Sequence, residues 1–343
     1  MHMADALLSP AVGGTMWAVA AATIGYSSRR VRQAGDDGRV PLMGVLGAFV
    51  FTAQMINFAI PATGSSGHLG GGLLLAILLG PQAAFLAMAS VLTIQALFFA
   101  DGGLLALGAN IVNLGFFPCF AAYPFLYKSL TGVNPSPGRI AVAAVVAGVA
   151  GLQMGALGVV LETVSSGISL LPLKSFALLM LPIHLAIGVV EGLVTAAVVN
   201  FVRQADPTLL HSAAVSRSRR GVVAALLVGA ALTGGVLSWF ASTRPDGLEW
   251  SIAAISGSEE LPAAAEGIKA TLAATQERTA LLPGYAFRLA TDAVAPAGSQ
   301  GTWPVVEGGT SIAGLVGGVL TLAVAGLIGL LLRKLRHHPG MGA

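Results

Sequence analysis

Eight long apolar segments, at about 11–27, 42–60, 70–99, 104–127, 139–163, 176–202, 220–241 and 311–332, are separated by charged or Gly/Pro-rich breaks, and they leave the chain little choice of solvent. With 55% hydrophobic residues, 10% charged residues and a mean hydropathy of +0.82, most of the surface must face lipid. Runs of this length are helices, because a bilayer offers the backbone no other hydrogen-bond partner. The expected fold class is therefore an all-α polytopic membrane protein.

One segment resists a simple count. Residues 70–99 make about thirty residues and contain Gly80-Pro81, which can break the run into a short helix and a full one. Lys/Arg placement decides between one pass and two. With two passes and the N-terminus outside, the inside loops 28–41, 128–138, 203–219 and the C-terminal tail hold, with Arg139 and Arg220 at span edges, 13 of the 18 basic residues. A single pass would put Arg217, Arg219 and Arg220 outside, against the positive-inside rule. The sequence thus predicts nine spans in the inner membrane, N-terminus out and C-terminus cytoplasmic. At roughly 1.5 Å per residue the piece at 70–80 is too short for a core of about 30 Å, so a half-helix lining a cavity is expected there.

Two parts follow. Residues 1–205 form a seven-helix capture bundle, 206–219 a cytoplasmic linker, and 220–343 a two-helix hairpin around an outside segment, 242–310, with eight of the 15 acidic residues. The pI of 9.3 rests on a formal excess of three charges, which signals topology and excludes a nucleic-acid surface. The first residues, MHMADALLSP, lack the basic and apolar regions of a secretory signal, so Met1 is expected to stay in place. Cys119 is the only cysteine, so a metal site within the chain must use nitrogen or oxygen.

Of the six histidines, His211 falls in the linker, His337 and His338 in the basic tail, and His184 inside a span. His184 shares a helix face with Glu191, seven residues on, and the pair reads as a relay, a subunit contact or a packing device. Glu162 lies near the outside end of its span and is expected to reach the headgroups. His2 stands apart because of what precedes it. The α-amine of Met1 and the amide nitrogen of residue 2 close a five-membered ring on a metal, and that amide with Nδ1 of His2 closes a six-membered one. Such a tetragonal nitrogen plane suits Ni(II) or Cu(II), with low-spin Co(II) a neighbour. His68, in the loop PATGSSGHL on the same outside face, can supply the fourth nitrogen. Asp5, Asn57, Asp101, Asn110 and Asn113 are candidates to hold the imidazoles from behind.

The stretches MHMADALLSPAVGGTMW, PATGSSGHLGGGLLLAILLGP and FFADGGLLALGANIVNLG resemble the CbiM/NikM family, the substrate-capture components of energy-coupling-factor transporters for cobalt and nickel. The resemblance covers about residues 1–205. It implies metal ligation by the amine of Met1, the amide and imidazole of His2, and His68. The segment STRPDGLEWS resembles the small CbiN/NikN-type partner, fused here to the same chain. The family further implies a coupling (T) subunit and ATPase subunits on other chains, with Ni2+ or Co2+ as transported substrate, no covalent cofactor and a link to cobalamin biosynthesis. No G-x-x-x-x-G-K-[ST] or H-E-x-x-H occurs, so neither an ATPase nor a zinc protease is expected. The alternative is a passive divalent-metal channel or permease. Nickel and cobalt both remain open.

Overall fold

The computed structural model describes residues 2–34, 40–206, 217–259, 261–262, 266–288, 303–304 and 306–336. Met1, most of the linker, His211, and the His337/His338 pair lie outside the described residues. The helices in chain order are α1 Pro10–Ala34, α2 Val40–Gln54, α3 Gly72–Leu79, α4 Pro81–Phe99, α5 Leu107–Thr131, α6 Pro137–Ser166, α7 Leu173–Ala205, α8 Arg217–Gly235, α9 Gly247–Ser256, α10 Ile268–Thr279 and α11 Gly308–Arg336. A two-stranded antiparallel ribbon, Phe58–Ala59 with Ser66–Gly67, joins α2 to α3. Helices α4, α5, α6, α7 and α11 are long and apolar enough to cross a membrane, while α2 and α8 contain shorter apolar helices. The chain is an all-α multi-pass membrane protein.

The segment 70–99 makes two legs. Gly80 sits at φ 79°, ψ 159°, a conformation that ends α3, and Pro81 opens α4 where a missing N–H costs nothing. His68, before α3, and Asp101, after α4, line one vestibule, so the segment leaves that face and comes back to it. Helix α3 rises only about 12 Å at 1.5 Å per residue, the half-helix expected. Every described side of it is apolar and all but Ile77 of its residues are buried.

A half-helix that starts inside the protein exposes unpaired N–H groups, and Glu191 meets them. The carboxylate of Glu191, on α7, accepts from Gly70 N at 2.5 Å and from Gly71 N at 3.1 Å. A negative group there also complements the positive end of the helix. His184, two turns earlier, bonds through Nδ1 to its own helix at Met180 O, 2.8 Å. Of the three readings of this pair, the geometry matches packing: Glu191 anchors α3. Glu162 differs from expectation. It is buried and accepts from Asn113 Nδ2 at 2.8 Å, because α5 presents a polar partner at that depth.

The hairpin α8/α11 packs into the bundle against α2, with α11 also on α1 and α4. Close approach depends on small residues. A Cβ on Gly44 would fall 2.5 Å from Leu322 O, and one on Gly314 would fall 2.5 Å from Gly234 O.

Candidate metal centre

The N-terminal segment is bolted to the loop between α4 and α5 and to the first turn of α5. Met3 N donates to Asn110 Oδ1 at 2.8 Å, Asn110 Nδ2 donates to Met3 O at 3.2 Å, and Gly103 N reaches the same carbonyl at 2.9 Å. Asp5 Oδ1 accepts from Ala106 N at 2.9 Å. Burial raises the carboxyl pKa of Asp5, and that N–H bond opposes the rise. These bonds fix the backbone next to His2, so the position of its ring is set by main-chain geometry.

That ring meets His68. The two imidazole centroids are 5.1 Å apart with planes 21° from parallel. His68 uses Nδ1 on Leu69 O at 3.0 Å, which selects the tautomer with a free lone pair on Nε2. Burial lowers the His68 pKa to about 3, so this ring stays neutral and able to bind a cation. His2 turns Nδ1 to Asp101 Oδ1 at 2.9 Å, while its Nε2 is buried with no partner. Burial favours a protonated Asp101, yet contact with His2 and a bond from Tyr285 outweigh it and hold the pKa at about 2.

Among the five residues expected to orient the imidazoles, only Asp101 does so directly. Asn110 and Asp5 instead fasten the N-terminal backbone, and Asn113 bonds Glu162. Asn57 lines the vestibule, its Oδ1 is buried without a partner, and its backbone carbonyl accepts from Ser242 N at 2.7 Å. Behind His68, Gln54 Nε2 donates to Gly70 O at 2.7 Å and Gln95 Nε2 to Gln54 Oε1 at 2.9 Å, a buried pair that hydropathy alone does not reveal. No group of three or more His, Cys, Asp or Glu side chains among the described residues forms a metal cluster. A site built from two imidazoles and backbone nitrogen needs none.

The vestibule above the two rings has a cavity of about 740 Å³ and is lined by Asp5, Asp101, Asp246, Glu249 and Glu259 against a single described lysine, Lys269. One wall comes from the fused hairpin. Ser66 N donates to Pro245 O and Ser66 Oγ to Arg244 O, both at 2.8 Å, so the PDGLE turn lies along the ribbon that carries His68. Asp246 caps α9 by accepting from Leu248 N and Glu249 N, and Asp246 N in turn donates to Glu249 Oε2. Gly247 must be glycine: a Cβ would meet Ile183 Cγ2 at 2.7 Å and His184 Cε1 at 3.1 Å. The D-x-x-E spacing of a capping box was a readable signal for this turn.

Residues 2–209 match the family model "Cobalt uptake substrate-specific transmembrane region", CbiM, and residues 220–334 match the PDGLE domain. The chain belongs to the CbiM family. It carries the PDGLE domain in the same polypeptide. A fused NikMN protein of Archaeoglobus fulgidus is 35% identical over 325 residues, covering 94% of this chain and 96% of the relative. The fused nickel transport protein NikMN of Rhodobacter capsulatus is 32% identical over 225 residues, 61% of this chain and 64% of that protein. A crystal structure of a truncated transition metal transporter aligns with a TM-score of 0.53 at 32% identity, covering 60% of this chain and 99% of that one. The CbiM-family portion supplies both imidazoles and Asp101, and the PDGLE domain supplies the wall over them.

Proposed function

We propose that this protein is the metal-capturing membrane subunit of an energy-coupling-factor transporter for Ni2+ or Co2+. The ligands are the α-amine of Met1, the amide nitrogen and Nδ1 of His2, and Nε2 of His68. The observation that carries this reading is the pairing of the His2 and His68 rings at 5.1 Å on the floor of an acidic vestibule. Metal–imidazole bonds of about 2.0–2.1 Å let two rings at that spacing share one ion after small rotations. The acidic walls raise the local cation concentration. His68, neutral over the physiological range, needs no proton removed.

In this reading the vestibule faces outward, the C-terminus is cytoplasmic, and a coupling (T) subunit with two ATPase subunits drives uptake from other chains. Relatives bearing nickel and cobalt transport names support the substrate class. A channel must release its ion quickly, and a planar four-nitrogen site with an ionised amide releases slowly.

The test is calorimetric titration of Ni2+ and Co2+ into purified protein with a native N-terminus, a variant with one extra N-terminal residue, His2→Ala and His68→Ala. One metal per chain is expected. The extended protein should lose affinity as severely as His2→Ala although it keeps every side chain, and His68→Ala should keep weak binding. Equal affinity in the extended and native proteins would remove the α-amine from the site.

A further inference from the structure

The fused hairpin reaches the metal centre through Tyr285. Its hydroxyl donates to Asp101 Oδ2 at 2.5 Å, and Asp101 Oδ1 faces His2 Nδ1 at 2.9 Å. Tyr285 is itself fixed, stacked on Phe99 with centroids 5.1 Å apart and planes 15° from parallel. Main-chain bonds from Leu281 N and Leu282 N to Phe98 O, at 2.8 and 3.2 Å, dock this segment on the end of α4. Gln276 Nε2 adds bonds to Ala96 O at 2.9 Å and Gly102 O at 2.6 Å. The carboxylate of Asp101 is thus held from both sides.

We propose that Tyr285 is a positioning residue: with Asp101 it forms a latch that competes with the metal for Nδ1 of His2. This rests on the reading of His2 as a ligand. A ring nitrogen 2.9 Å from a carboxylate oxygen carries the proton, whereas the six-membered chelate needs the lone pair of that same nitrogen. One nitrogen cannot do both. In the latched arrangement the other nitrogen, Nε2, is buried without a partner, so the ring is only half satisfied. Loading therefore moves one proton from Nδ1 to water and one from water to Nε2, breaks the contact with Asp101 Oδ1, and forms the metal–Nδ1 bond. The net proton count on the imidazole does not change.

The consequence is thermodynamic. Hydrogen bonds to an ionised carboxylate are the strong kind, and this one exists only in the empty site. An interaction confined to the empty state lowers apparent affinity for whatever ends it. In a subunit that must hand its metal on, such a latch disfavours recapture of the ion once it has left. Tyr285 strengthens it by stopping the carboxylate from turning into the open vestibule.

The opposite reading makes Tyr285 a support for the loaded site, and the two differ in sign. In full-length protein with a native N-terminus, Tyr285→Phe keeps the stacked ring and removes only the hydroxyl. With Ni2+ as probe, the variant should load faster and bind tighter by up to about tenfold, because the His2–Asp101 bond that ends on loading is worth about that much and the hydroxyl only strengthens it. Its dissociation rate and the absorption spectrum of the loaded site should match those of the native protein. In an Asp101→Ala background the same substitution should do nothing, because no carboxylate remains to orient. Weaker or unchanged binding by Tyr285→Phe, or an equal effect without Asp101, overturns the latch. If His2→Ala binds as tightly as native protein, the ligand assignment itself has failed, a different result from native-like Tyr285→Phe in a protein that does depend on His2.

Discussion

Two loops close over the His2 ring, and they grip different things. The loop between α4 and α5, with the first turn of α5 that follows it, comes from the CbiM-family portion and holds main chain: Asn110 and Gly103 both bond Met3, and Asp5 bonds Ala106. The segment from the PDGLE domain holds groups one step further away, with Tyr285 on Asp101 and Pro245 on Ser66. On the proposed ligand set, contacts of the first kind decide where the donor atoms stand. Those of the second kind bias what the donors do, so the two loops should separate when each is damaged in turn.

The largest effect should come from the first loop. Asn110→Ala removes two of the three bonds that pin Met3 and leaves its buried N–H without that acceptor, while Gly103 N stays on its carbonyl. Equilibrium affinity for Ni2+ should fall about 10–100-fold, in line with lost supporting contacts at metal sites, while the protein stays folded by circular dichroism. An unchanged affinity would show that the N-terminal backbone does not position the ligands. Next comes the second loop. Gly247→Val drives side-chain atoms into Ile183 and His184 and lifts the PDGLE turn off α7. Metal uptake by cells should drop several-fold, with affinity of the purified protein within about threefold of native, a shift below roughly 0.7 kcal/mol. A collapse of equilibrium affinity would erase the distinction between the loops.

The smallest effect is a matter of shape. Coordination needs a neutral imidazole, and protonation competes with metal only below the pKa. The pKa of His68 is lowered from 6.5 to about 3, so between pH 5 and 7 there is no proton to displace. The ratio of native to His68→Ala affinity should stay flat across that window in calorimetric titrations. A ratio that climbs with pH would mean His68 is solvated before loading. Both proteins should still gain affinity as pH rises through the α-amine range of about 7.7–8.0, because the amine must lose its proton to bind.

Much of this arrangement was legible before any coordinates. Hydropathy and Lys/Arg placement led to the helical class and to the two legs of 70–99, since lipid tolerates few alternatives. His2 stood out because chelate rings are local in sequence, and His68 because it shared a face with the N-terminus. The acceptor on His2 could be narrowed to five residues and no further. Asp5, Asn110 and Asn113 are similar in type and depth to Asp101, and only the fold shows that they serve Ala106, Met3 and Glu162, in that order. Gln54 and Gln95 were hidden inside apolar spans. Tyr285 was hidden for another reason: it lies 184 positions from Asp101, in a segment whose composition reads only as an acidic loop.

The packing of α8 and α11 among α1, α2 and α4 bears on how so slight a contact as one hydroxyl on one carboxylate can matter. A separate subunit making these few bonds would lose translational and rotational freedom at every encounter, and would come and go with its abundance. Inside one polypeptide that loss is incurred once, during folding. The effective concentration of Tyr285 at Asp101 is then a property of the chain, unaffected by dilution, expression ratio or competition from other partners, and every capture site carries one copy.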